Sequence, residues 1–291
     1  MVLGRRMFMT LSSSATLGIF AGFGKAAAAP LGDGKATPGL PRQPGIPEFP
    51  VHPQATDSMK MKDRVKAISN VFEVGEPKAD YAYVEDLGDG RGLTVTSYGF
   101  CTCNDEVTRI IKLYDSLAPG NALGRFLLVL APGDDALSSE KLAGFADAWS
   151  REAKASNLLP AVCEKFADQI YFDPAVRFAR DAKIVTPVGL AILYDTLLQH
   201  GAGDDEDSLN AVYQRTVAQT AWPNRGTEQD FLHALLEVRR RVLANPHNSD
   251  TADVWRKSLP RVNALFGLLK NNPDLRPPVL VRNDEVSATI L

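Results

Sequence analysis

Met61, Val65, Ile68 and Phe72 recur at spacings of four, three and four, the period that lines one face of an α-helix with apolar side chains. Asp57 or Ser58 offers a cap in front of this stripe, and VGEP at 74–77 ends it with a glycine and a proline, so the helix closes beside Glu73. The runs 81–86 and 93–100, rich in tyrosine, valine and threonine, read as two strands around the glycine-rich turn of EDLGDGRG. Beyond Asp105 the pattern turns helical. VTRIIKLYDSL, SEKLAGFADAWSREA, PAVCEKFADQI, the run 187–200, LNAVYQRTVAQTA and EQDFLHALLEVRRRVLA all carry apolar residues three or four apart. The pattern predicts an α+β fold, mainly α-helical, with one small sheet near its front and no internal repeat.

The first residues follow another logic. Arg5 and Arg6 precede a weakly apolar run that ends at Lys25 and four alanines, which reads as an export signal over 1–29, either of the twin-arginine kind or a general secretory signal that happens to hold two arginines. Residues 30–56 hold seven of the chain's 19 prolines and read as an extended linker, leaving 57–291 as the folded domain. Without the leader the chain carries 29 basic against 35 acidic side chains, a net charge of −6. That balance disfavours nucleic acid and suits a cationic partner. Removal of the leader leaves nothing to hold the chain in a membrane, and the expected location is periplasmic or extracellular. Of three cysteines, Cys101 and Cys103 stand too close for an easy mutual bridge. Either Cys163 makes one long-range disulfide or all three are unpaired thiols. No metal-ligand spacing is present and His52, His200, His233 and His247 are scattered, so neither metal nor cofactor is expected.

The turn EDLGDGRG holds more chemistry than a hairpin requires. One or two glycines would suffice, yet Asp86, Asp89 and Arg91 crowd beside them. A phosphate loop would lead into a helix and would avoid aspartates; this one leads into a strand. A calcium loop needs acidic residues at alternate positions, and Asp86 and Asp89 are three apart. A hairpin merely decorated with charged residues remains open, and a carboxyl pair is the other reading. Glu73 leaves an apolar helix face, where desolvation favours its neutral form, whereas Asp89 on a polar turn beside Arg91 stays ionised. Two carboxyl groups pushed apart in this way make an acid and a base, and across a cleft such a pair hydrolyses glycosidic bonds.

The order FE, seven residues, YAYVEDLGDGRGLT, four residues, GF and a later aspartate resembles the active-site region of the glycoside hydrolase family 46 chitosanases. The resemblance continues through QIYFDPAV, LYDTLLQHGAGDD, TEQDFLHALLEVRR and DLRPPV, covering most of 60–280 in order. It implies a lysozyme-like, two-lobed fold with a small antiparallel sheet and a cleft between lobes. It further implies Glu73 as general acid, Asp89 as general base and Thr94 as the residue that helps place the attacking water. Asp105 matches a cleft aspartate that recognises a glucosamine amine. An inverting pair stands roughly 6.5–9.5 Å apart or somewhat more, leaving room for the water.

Asp195, Arg239 and Arg256 match an interior aspartate and two arginines that brace the acid, although Arg240 competes with Arg239 for its place. Arg91 either orients Asp89 or fixes the turn. Tyr83, Glu85 and Asp86 either line the cleft or serve the fold, with strand alternation putting Tyr83 and Glu85 on one face and Asp86 on the other. CTCNDEV is one residue shorter before Asp105 than the family's loop. The expected activity is endo-hydrolysis of β-1,4 glucosamine linkages in chitosan by a monomer. Its rivals are a lysozyme-like hydrolase of partly acetylated chitin or peptidoglycan, and a non-catalytic binder of cationic polysaccharide.

Overall fold

The computed structural model describes residues 60–86, 92–103, 105–130, 141–247, 252–283 and 285–291. The leader, the proline-rich linker, Asp57, Ser58, Asp89 and Arg91 lie outside the described residues. Helix α1 (Met61–Val74) buries Val65, Ile68 and Phe72, the stripe that the spacing predicts, and is capped by Gly75 in the left-handed conformation. A three-stranded antiparallel sheet follows, with β1 (Val84–Asp86), β2 (Leu93–Val95) and β3 (Phe100–Cys101) in sequence order. The run 93–100, expected as one strand, is broken into two. Thr96 and Gly99 adopt φ of 60° and 76°, which no pleated strand accommodates, so the chain turns there and pairs with itself.

Helices α2 (Asp105–Leu117), α3 (Phe145–Ala155) and α4 (Leu158–Ala167) pack with this sheet and form the front lobe. A π-helical turn (Asp168–Phe172) and α5 (Asp173–Asp181) lead to α6 (Pro187–His200). All of α6 from Val188 onward is buried, as expected of a helix apolar around its circumference. It touches α1, α5, α7 (Leu209–Thr220), α8 (Glu228–Ala244) and α10 (Leu259–Asn271), and is the axis of the back lobe. A short α9 (Ala252–Lys257) packs on α8.

The chain ends in a second sheet that the sequence pattern did not predict. Its strands β4 (Val279–Arg282) and β5 (Ser287–Ile290) pair with Val279 opposite Ile290, and pack on α10 and α1. Only Val279, Val281 and Ile290 point fully inward, too few positions to show a period. Helix α1 therefore lies between the lobes, facing α6 along its length with β5 beside it.

The cysteines depart from expectation. Cys101 and Cys103 bond to each other, and Cys163 is a buried free thiol. The turn between β3 and α2 brings the Cα atoms of the pair to 5.1 Å, inside the range a disulfide spans, although only one residue separates them. No helix among the described residues is long and apolar enough to cross a membrane.

Candidate active site

Beside its apolar stripe, one position further along the chain, α1 carries a second set at helical spacing: Lys62, Lys66, Ser69 and Glu73. The last three are buried, and each finds a partner from another helix. Lys66 binds Glu164 of α4 and lies 2.7 Å from Asp168, which Lys62 also binds. Glu164 in turn accepts from the hydroxyls of Tyr81 at 2.5 Å and Tyr98 at 2.9 Å. Burial would raise the Glu164 carboxyl, but Lys66 and the two tyrosines outweigh it and hold the group below its ordinary value. The front half of the stripe thus ties α1 to the front lobe; the rear half ties it to the back lobe.

At the rear, Glu73 is only 4% exposed. Its Oε1 accepts from Arg261 Nη1 at 2.6 Å, while its buried Oε2 has no hydrogen-bond partner among the described residues. Burial pushes the Glu73 carboxyl above its ordinary value, with Asp195 adding to the rise and Arg261 opposing it. The result is a carboxyl group with one oxygen fixed by a guanidinium, the other without a hydrogen-bond partner among the described residues, and its protonated form favoured by burial.

Arg261 sits on α10 in line with Leu265 and Leu268, a cation on an otherwise apolar helix face. Its Nε lies 2.9 Å from both Asp195 oxygens and its Nη2 lies 2.8 Å from Asp195 Oδ1. Asp195, fully buried in α6, also accepts from Ser69 at 2.8 Å and from Arg239 Nη2 at 2.8 Å. Burial would raise the Asp195 carboxyl, yet Arg261 and Arg239 bring it down to about 2, so it stays ionised. Arg239 donates further to Gln199 Oε1 and, at 3.2 Å, to His200 Nε2. His200 Nδ1 contacts the Asp207 carbonyl at 2.7 Å, so the ring is the neutral tautomer that donates from Nδ1 and accepts at Nε2. Burial and the two arginines hold His200 down at about 3.

The network therefore contains Asp195 and Arg239, but not Arg256. That side chain is half exposed, donating to Asp253 at 2.6 Å and to the Ala244 carbonyl. A residue in the exposed last turn of a six-residue helix cannot reach Asp195, and Arg261 fills the place expected for it. Arg240 is likewise at the surface, paired with Glu237. In the sequence Arg261 shows only as one arginine at apolar spacing behind the proline of SLPRVNAL, a position that reads as core until its partners are known.

On the sheet side, Thr94 is 3% exposed, opposite Glu85 in β1 and Cys101 in β3. The Tyr83 hydroxyl donates to Glu85, both half buried on one face, and Asp86 is exposed on the other. Asp105 opens α2 with a 61% exposed side chain, 4.0 Å from Arg109. The described residues contain no cluster of histidine, cysteine and acidic side chains that could hold a metal ion.

The sequence profile of glycosyl hydrolase family 46 matches residues 67–279. The chain is similar to a chitosanase of Bacillus subtilis strain 168, 36% identical over 232 residues that span 77% of this chain and 82% of the relative. It is also similar to a chitosanase of Streptomyces sp. strain N174, 32% identical over 68% of this chain and 71% of the relative. Among solved structures, the Gynuella sunshinyii family 46 chitosanase in complex with chitotetraose superposes with a TM-score of 0.70. That pair is 32% identical, over 81% of this chain and 99% of that one. The native chitosanase of Bacillus subtilis MY002 gives a TM-score of 0.70 at 34% identity, over 79% and 98%.

Proposed function

The chain belongs to glycosyl hydrolase family 46 and is a glycoside hydrolase with the lysozyme-like fold, and on that premise we propose that it cuts chitosan internally at β-1,4 glucosamine linkages by an inverting acid/base mechanism. The observation that carries the reading is the Glu73 carboxyl: buried, pushed up, anchored through Oε1 and open at Oε2. A general acid has to hold its proton at the working pH and aim it at the leaving oxygen, and this environment favours both.

In the proposed step a water attacks the anomeric carbon while Asp89 accepts its proton. The bond to the leaving oxygen breaks as Glu73 Oε2–H protonates it, and the two carboxyls then exchange their proton states with solvent. Thr94 holds the water. Asp105 receives a substrate ammonium, and Arg91 keeps Asp89 ionised. Tyr83 and Asp86 line the substrate path. Asp195, Arg239 and Arg261 act through Glu73 as positioning residues, fixing its Oε1 so that Oε2 is the oxygen left to donate. No cofactor takes part.

A polycationic substrate suits a chain whose part beyond the leader carries a net charge of −6. The proposed organisation is a leader over 1–29 that exports the chain, a linker over 30–56, and one catalytic domain over 57–291 working as a monomer outside the cytoplasm.

Reducing-end release from highly deacetylated chitosan tests the reading, with Glu73→Gln and Asp89→Asn beside the parent. Cutting by the parent and loss by both variants supports it. Binding by the parent without release makes the protein a binder of cationic polysaccharide instead. Preference for partly acetylated chitin or peptidoglycan over chitosan makes it a different hydrolase.

A further inference from the structure

We infer that the Cys101–Cys103 disulfide is a positioning element for substrate: it pins the turn that carries Asp105 to the sheet that carries Thr94, and thereby sets the affinity for the amine of the sugar. This inference rests on the reading of Asp105 as the residue that receives a glucosamine ammonium.

Backbone and side-chain hydrogen bonds and one covalent bond join the turn to the sheet. Cys101 is 6% exposed and pairs with Thr94 across the β2–β3 ladder. Thr102 closes the ladder: its Oγ1 accepts from Leu93 N–H at 2.8 Å and its N–H donates to the Leu93 carbonyl at 2.9 Å. Past Thr102 the chain leaves the sheet. The covalent bond draws Cys103 back against Cys101, and the Cys103 N–H donates to Cys101 Sγ at 3.1 Å. With Cys103 tied down, Asp105 begins α2 two residues from a point fixed to the sheet, so its Cα stays within about 7 Å of that point.

A second tie acts on α2 itself. Glu106, 1% exposed in the first turn, accepts from Cys101 N–H through Oε2 at 3.2 Å. This hydrogen bond holds the buried side of the helix's first turn to β3. The disulfide adds constraint to the turn and to Asp105, whose side chain is 61% exposed. Opening it thus loosens the contact to the sugar amine and leaves Thr94 and Glu73 in place. Its signature is a change in KM with kcat retained.

Opening requires a dithiol. A thiolate of the reductant attacks the sulfur of Cys103, the more exposed of the pair, to give a mixed disulfide and a free Cys101 thiol. The second thiol of the reductant displaces Cys103, so the protein gains two protons and two electrons while the reductant becomes its own disulfide.

The experiment compares the oxidised and dithiothreitol-reduced protein on a glucosamine hexamer. Iodoacetamide and intact mass count the opened thiols, and buried Cys163 serves as the internal marker that the fold has held. Two alkyl groups, a KM raised about fivefold and kcat within about twofold are expected, the size of an exposed ion pair lost. A Cys101→Ser, Cys103→Ser double variant shows the same KM and no response to dithiothreitol. In Asp105→Asn, whose KM is already raised, reduction adds nothing. An unchanged KM in the reduced protein or in the double variant overturns the inference, and so does a loss confined to kcat. Oxidised parent that fails to cut the hexamer overturns the chitosanase reading instead. If alkylation also reaches Cys163, the double variant alone decides.

Discussion

Arg261 joins Glu73 to Asp195, with Nη1 at 2.6 Å from the glutamate and Nη2 and Nε at 2.8 and 2.9 Å from the aspartate. One planar guanidinium thus sets where the acid's bound oxygen lies and, by exclusion, which oxygen is left to donate. The electrostatics are divided unequally: Asp195 is held down at about 2, while Glu73 stays above its ordinary value.

Removing the charge with Arg261→Met leaves Asp195 and Glu73 short of a buried partner and costs about 3–5 kcal/mol in a denaturant titration. Because Arg261 opposes protonation of Glu73, its loss raises that carboxyl further. The alkaline limb of kcat/KM against pH therefore moves to higher pH while kcat falls, and a limb that stays in place would separate Arg261 from the acid.

Arg239 and Arg256 behave differently despite their shared charge. Arg239→Ala strips Asp195 of a contact at 2.8 Å in a fully buried site and costs about 3–5 kcal/mol. Arg256→Ala removes a surface pair with Asp253 and shifts stability by no more than about 1 kcal/mol, with activity unchanged. Paired thermal melts and rate assays check both.

Asp195 carries a pH dependence of stability. Its carboxyl is depressed from 3.8 to about 2 on folding, so its contribution is fully present above the unfolded value and is lost as pH falls through about 2. The shift corresponds to about 2 kcal/mol. Urea midpoints of the parent measured from pH 5 to pH 2 decline accordingly. Asp195→Asn starts lower at neutral pH and declines less over that range.

At the front of α1, Lys66→Met leaves Glu164 with its tyrosines alone and Asp168 with Lys62. The expected cost is about 3 kcal/mol, read as a lower melting temperature. Adding Glu164→Gln recovers part of it, since the stranded charge is gone. A double variant no more stable than the single one would mean that the pair is not coupled.

Much of this was legible in the sequence. Long amphipathic runs such as EQDFLHALLEVRRRVLA announce their helices because period and length reinforce each other, and α8 spans the residues of that run. The stretch 93–100 misled because its β-branched residues suit a strand everywhere, whereas the backbone of Thr96 and Gly99 belongs to a turn. The terminal hairpin was missed because three inward residues make no period. At the site, Glu73 and Asp195 stood out through neighbouring motif residues. Arg261 did not: its spacing among leucines looks like core, and only the pairing across three helices gives it meaning. The Cys101–Cys103 bond depends on how tightly one turn closes, which spacing alone does not state.

The central claim is that Glu73 supplies the proton to the leaving oxygen, and leaving-group dependence tests it most directly. The measurement compares the parent with Glu73→Gln on chitosan and on a glucosamine oligomer carrying fluoride at its reducing end, a leaving group that needs no acid. The account predicts a loss of about 10²–10⁴-fold on chitosan and little loss on the fluoride. Equal losses on both substrates, or full activity of Glu73→Gln on chitosan, would contradict it.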